Sequence, residues 1–115
     1  MDKLDWIALD NQVEEFRQKC KGRNGQAWAY TVSHGQLLIR YYDDQTTSSV
    51  YLRCKDIASV SFRKHWNYSL PDVHFSDGEY GPEITISDGE NLMINCGFAF
   101  WVQSDEFLDG DSAFF

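Results

Sequence analysis

Lysine and arginine stop at residue 64. From His65 to Phe115 the chain has neither, against ten carboxylates, whereas residues 1–64 hold all ten basic residues and eight acidic ones. The formal net charge of −8 is therefore +2 followed by −10. This shortage of cations argues against non-specific binding to nucleic acid or to an anionic membrane, both of which need surplus Lys and Arg. Cysteine is scarce too: Cys20, Cys54 and Cys96 are far apart, with no Cys-x-x-Cys pair. The expectation is three reduced thiols packed as small hydrophobes. Of possible zinc ligands only His65 and His74 lie near one another, with no cysteine beside them, so neither a metal nor a cofactor is expected. No stretch approaches the roughly 20 apolar residues of a membrane helix. Asp5 and Asp10 interrupt the first ten residues, which carry no basic leader, and the expected location is the cytoplasm.

Aromatic residues, by contrast, make up 16% of the 115 residues and hydrophobic ones 43%. That supply of large side chains excludes a disordered chain, and the length suits one domain, 1–115, with its own core. Asp10 to Lys21 reads as an amphipathic helix: Asp10 or Asn11 caps it, Val13, Phe16 and Cys20 form a narrow apolar stripe, and Gly22 ends it. Arg17, Lys19, Lys21 and Arg23 then cluster at its C-terminus, where cations suit the helix dipole.

After Gly25 the period changes to two. A two-residue loop at His34-Gly35 pairs Val32 with Leu37, Tyr30 with Ile39 and Trp28 with Tyr41, all on one face. Val50–Cys54 and Ala58–Arg63 read as two strands joined at Lys55-Asp56. Residues 65–82, which hold both prolines, read as a long loop with room for a short strand at Val73–Phe75. Glu83–Ile94 is a hairpin for which a Ser87-Asp88-Gly89 loop keeps Ile84, Ile86, Leu92 and Ile94 on one face. Gly97–Val102 is an aromatic strand with Gly97 as a candidate bulge. The expected fold class is α+β: one N-terminal amphipathic helix on a curved antiparallel sheet of about six strands, in a hairpin meander.

No motif for nucleophilic, metal or phosphate chemistry is present, and the chain reads as a non-enzyme. Arg63-Lys64-His65-Trp66-Asn67-Tyr68 mixes cations and aromatics and is the best local ligand-contact candidate. The leading expectation is a protein-binding module with an acidic face of Asp72, Asp77, Glu79, Glu83, Asp88 and Glu90. Trp66, Tyr68, Tyr80 and Trp101 would anchor a basic partner beside it. In size, charge and composition the whole chain is similar to bacterial immunity proteins, which occupy basic active sites of toxin nucleases. Two other readings stand beside it. One is a small-molecule pocket between helix and sheet lined by Trp28, Tyr30, Tyr41 and Arg40. The other is a structural homo-oligomer joined through Phe98, Phe100 and the Phe114-Phe115 tail.

Overall fold

The computed structural model describes residues 5–31, 35–79, 81–106 and 108. Its strands are β1 (Ile7–Ala8), β2 (Asn24–Thr31), β3 (Gln36–Tyr42), β4 (Ser49–Phe62), β5 (His65–Trp66), β6 (Asp72–Gly78), β7 (Gly81–Ser87) and β8 (Leu92–Ser104). All pair antiparallel in one open sheet ordered β5-β2-β3-β4-β8-β7-β6, with β1 added to β8. The broad α+β expectation fits. The strand number exceeds six because part of the stretch expected as loop is β5 and β6. Nor is the sheet one meander: β2-β3-β4 and β8-β7-β6 are two meanders joined at β4 and β8.

The helix differs from expectation as well. It covers only Val13–Cys20 (α1), follows β1 and a 3-10 turn at Leu9–Asn11, and buries just Phe16 and Cys20. It is neither the N-terminal element nor an amphipathic layer. Leu9 is pulled fully into the core, and Gln12 leaves helical geometry at φ −137° without a side-chain cap bond. The basic cluster at its end is partly structural. Arg23 is buried and donates to the carbonyls of Lys19 and Ser48, while Arg17 donates to Pro71 and to the Asp72 carboxylate.

Alternation puts Leu37, Ile39 and Tyr41 on the face that α1 covers, here the inner face. On β4 the inner residues are Val50, Leu52 and Cys54, then Ile57 three positions on, then Val60 and Phe62. On β8 they are Leu92, Ile94 and Cys96, then Ala99 three positions on, and Trp101. β4 breaks period again from Ile57 to Val60, where its register shifts between Ile57 and Ser59. The Cys54–Ile57 break and the β8 break lie opposite each other, because Lys55 pairs with Phe98 and Ile57 with Cys96. Between them Asp56 takes φ +57° and faces Gly97. A Cβ on residue 97 would sit 2.7 Å from Asp56 Oδ2. Both strands thus bend at one rung, which keeps each half's apolar set facing the core. The two strands expected on either side of Lys55-Asp56 are one bent strand.

Beyond the bend β4 curls back far enough for Phe62 to meet Tyr30 edge-on at 5.6 Å, and β5 pairs with the second edge of β2. The first hairpin has a different register from the expected one. Thr31 pairs with Gln36, Tyr30 with Leu37 and Ala27 with Ile39, a bulge intervening at Trp28. Val32, Ser33 and His34, and with them the expected two-residue turn, lie outside the described residues. The bulge sends Trp28 to the outer face, with Leu38, Tyr51, Val102 and Leu108. There the Arg40 guanidinium lies 5.1 Å from the Trp28 ring and 4.7 Å from the Tyr42 ring. Arg53 lies between Trp6 and Phe100 in the same manner, at 4.7 and 5.5 Å. The residues proposed for a pocket between helix and sheet are consequently split: Tyr41 is core, whereas Trp28 and Arg40 are on the outer face.

If the rung at Asp56 and Gly97 sets the bend, Gly97→Ala destabilises by up to about 1 kcal/mol, below the cost of overpacking a closed core because the carboxylate it meets is exposed. In an Asp56→Gly background the same change costs less than half as much, since the carboxylate it meets is gone. Urea denaturation of the four proteins of this cycle measures the coupling; additive costs contradict it.

Candidate functional site

The bend opens the sheet on one side. β8 is paired with β7 through Met93–Cys96 and with β1 through Phe100–Trp101. Among the described residues no strand pairs with that edge of β8 at Gly97, Phe98 or Ala99. β7 splays away at Gly81–Glu83, where Pro82 has no N–H to offer, and β1 turns into the core at Leu9. Between them is an open cleft of about 540 Å³. Its apolar lining includes Phe75, Pro82, Ile84, Phe98 and Phe100, and its carboxylates are Asp10 and Asp56. A contiguous cleft of about 360 Å³ shares Asp56, Pro82 and Gly97 and adds Glu79 and Glu83. Phe75 is 42% and Phe98 57% exposed, high values for side chains of this size. Lys55 lies with Asp56, Phe98 and Phe100 around an adjoining shallow pocket, and the Arg53 guanidinium is 5.5 Å from the Phe100 ring.

Of the expected acidic face, Asp77, Glu79 and Glu83 gather around the end of the β6–β7 hairpin, next to this cleft. Asp72, Asp88 and Glu90 do not join them. Asp72 pairs with Ser87 at the opposite end of the same hairpin, a strand length of about 20 Å away. Its carboxylate is 3.0 Å from Arg17 Nη2. The single acidic face of the sequence reading is therefore two separate groups, because a hairpin carries its two ends to opposite rims of a sheet.

Asp88 holds the β7–β8 turn. Its Oδ1 accepts from the amides of Glu90, Asn91 and Leu92 at 2.9, 2.7 and 3.1 Å. Its Oδ2 accepts from Ser69 Oγ at 2.6 Å and Asn91 Nδ2 at 3.0 Å. The register that results, Ile84 opposite Cys96 and Ile86 opposite Ile94, replaces the expected three-residue loop but keeps the same apolar face.

The expected aromatic anchors fare differently. Trp66 and Trp101 are core residues, 5% and 2% exposed. Trp66 stacks edge-on with Tyr41 and lies against Gly25, and Trp101 packs on Phe16. Their large apolar area is consumed in packing the helix onto the sheet, so neither is a surface anchor. Tyr68 is half exposed and borders a separate shallow cleft with Arg63, His65, Asn67 and Glu90. Tyr80 and the Phe114-Phe115 tail lie outside the described residues. Asp10, Asp56 and Phe75 were not anticipated at a site. Asp10 reads as a helix cap and Asp56 as a linker; the signal that could have found Asp56 is the Cys54-to-Ile57 break in period.

All three cysteines are free and buried. Burial pushes the Cys20 thiol up, and a hydrogen bond with Cys96 together with burial does so for Cys54. Thiols held protonated in this way are poor nucleophiles and poor metal ligands.

For Asp88, partial burial opposes ionisation, but the bonds from Ser69, Glu90 and Asn91 outweigh it and lower the pKa to about 2. A depressed carboxylate stabilises the fold above its unfolded pKa and loses that contribution as pH falls towards the folded value. Asp88→Asn is therefore expected to cost about 1 kcal/mol at neutral pH, the partly exposed site being screened by solvent. The gap from the parent should be constant down to pH 4.5 and close between pH 4 and 2. Urea titrations across that range check it, and a gap that widens on acidification refutes the assignment.

Compared with protein-family models, curated protein sequences and solved structures, the chain matches none.

Proposed function

We propose that this chain is a non-enzymatic binding module whose splayed cleft receives a basic segment of a partner protein. The observation that carries this reading is the combination at one place of exposed phenylalanines and carboxylates. Phe75 and Phe98 supply apolar area that gains from being covered, and Asp10, Asp56, Glu79 and Glu83 surround it with negative charge. A lysine or arginine side chain suits such a place in both parts: its methylene stem lies on the rings while its head meets the rim. Asp77, two residues on from Phe75 along the same face of β6, extends the same field. With low-dielectric walls on either side, a field of one sign speeds encounter with cations and discourages acidic partners. An immunity-type inhibitor, which must cover a basic active site on a toxin, is one protein of this description.

The test is retention of proteins from a lysate by the immobilised chain and by a variant carrying Asp10→Asn, Asp56→Asn and Glu79→Gln. Asparagine tolerates the left-handed backbone of residue 56, so the fold should survive. Proteins held by the parent at low salt should be basic, released by about 0.5 M salt, where screening reaches within several ångströms, and retained far less by the variant. Retention that is indifferent to salt, or equal for both chains, overturns the reading.

A further inference from the structure

Strand β6 ends the sheet. Among the described residues nothing pairs with its second edge, and it is seven residues long. Edges of this length are ordinarily blunted by lysine, proline, a bulge or a covering segment. The run Asp72-Val73-His74-Phe75-Ser76-Asp77-Gly78 contains neither lysine nor proline, and its register with β7 is unbroken from Asp72–Ser87 to Gly78–Gly81. The backbone is thus an open template for one more strand.

Charge decides what that strand is. Residues 72–83 carry four carboxylates and no lysine or arginine; Asp72 is paired with Arg17, which leaves Asp77, Glu79 and Glu83 unneutralised towards the other end of the strand. A second copy of β6 would bring an equal set of negative charges against the first, so self-pairing is opposed. A cationic segment meets no such penalty. Side-chain direction makes the match more specific. Val73, Phe75 and Asp77 share the face of Ile84 and Ile86, and Phe75 projects into the cleft described above. A strand laid on this edge places alternate side chains on that same face. An apolar residue would fall beside Val73 and Phe75, and a basic one beside Asp77.

Resting on the reading that the cleft takes a basic partner, we infer that the free edge of β6 receives the partner's lysine- or arginine-bearing segment as an added antiparallel or parallel strand. Main-chain bonds to β6 then hold the segment, and the cleft reads alternate side chains. The acid-rich hairpin protects the edge from its own copies while leaving it open to a cationic one.

The experiment titrates ¹⁵N-labelled protein with the acetylated, amidated peptide Lys-Thr-Val-Thr-Val-Thr-Lys, whose alternate positions put two valines and a lysine on one face in either strand direction, and with the same peptide N-methylated at every residue. The second keeps charge and side chains but cannot donate along a strand. Expected are saturable shifts centred on residues 72–78, slowed amide exchange there, and at least tenfold weaker binding of the methylated peptide. An Asp77→Asn, Glu79→Gln variant should bind the unmethylated peptide several-fold less tightly. Equal binding of both peptides overturns strand addition but leaves the cleft reading intact. Self-association through β6 without peptide also overturns it. If neither peptide binds while basic lysate proteins are still retained through the rim carboxylates, the inference fails alone. If that retention is absent as well, both fail.

Discussion

The close approach of Asp56 to Gly97 is the constraint on which the rest of the arrangement depends. A strand that keeps strict alternation commits one parity to the core along its full length. β4 and β8 are 14 and 13 residues long, too long for one core to cover in a flat sheet. By breaking period at the same rung, each turns a corner without turning its apolar residues outward. Cys54 and Ile57 on one strand, and Cys96 and Ala99 on the other, all stay with the core. The Asp56 side chain occupies the space above residue 97, so only glycine fits there while the carboxylate stays in place.

The consequences reach both faces. On the inner face the corner allows β4 to fold back until Phe62 reaches Tyr30. On the outer face it divides two environments. The half nearer β2 and β3 is apolar and is covered by the chain's own ends. Trp6 packs there, Leu108 accepts a hydrogen bond from the Trp28 indole, and Tyr51 Oη donates to the Glu106 carbonyl at 3.3 Å. Arg40 and Arg53 remain in this half because aromatic faces replace part of their hydration. The half nearer β6 and β7 is polar, with Asn95 bridging Ser59 and Thr85 by hydrogen bonds of 2.7 Å on each side. The cleft forms at the corner, where neighbours that follow one half of β8 cannot follow the other.

What was legible in the residues was the face most strand side chains take, more than which residue each meets; Trp28, expected on the face of Ile39 and Tyr41, is instead on the opposite one. Alternation placed Leu37, Ile39, Ile84, Ile86 and Ile94 together correctly, since burial enforces parity. Register failed in both hairpins because it depends on local detail rather than on the apolar pattern: in the first, Tyr30 already meets Leu37 before a bulge at Trp28 shifts the pairing by one more, and in the second Asp88 gathers three amides. Trp66 and Trp101 look like surface anchors by composition, but a helix with only two buried residues leaves much of the inner face to be filled by large rings. Strand β6 went unread as a full strand because an edge strand with exposed Asp72, His74, Ser76 and Asp77 lacks the continuous apolar face that signals one.

The charge split along the chain was legible too, yet its meaning changes once the sheet is folded. Of the ten carboxylates after residue 64, Asp88 is consumed by a turn and Asp72 by Arg17. Conversely, the nearly balanced first half supplies Asp10 and Asp56 to the rim of the cleft, while Arg17, Arg23 and Arg40 are engaged elsewhere by carbonyls, a carboxylate and aromatic rings, and Arg53 lies between Trp6 and Phe100. Negative charge at the cleft therefore arises from two segments brought together by the bend, set against Lys55 beside Phe98. A count over either half of the sequence misses this, because what a partner meets is the charge left over after the fold has used its own.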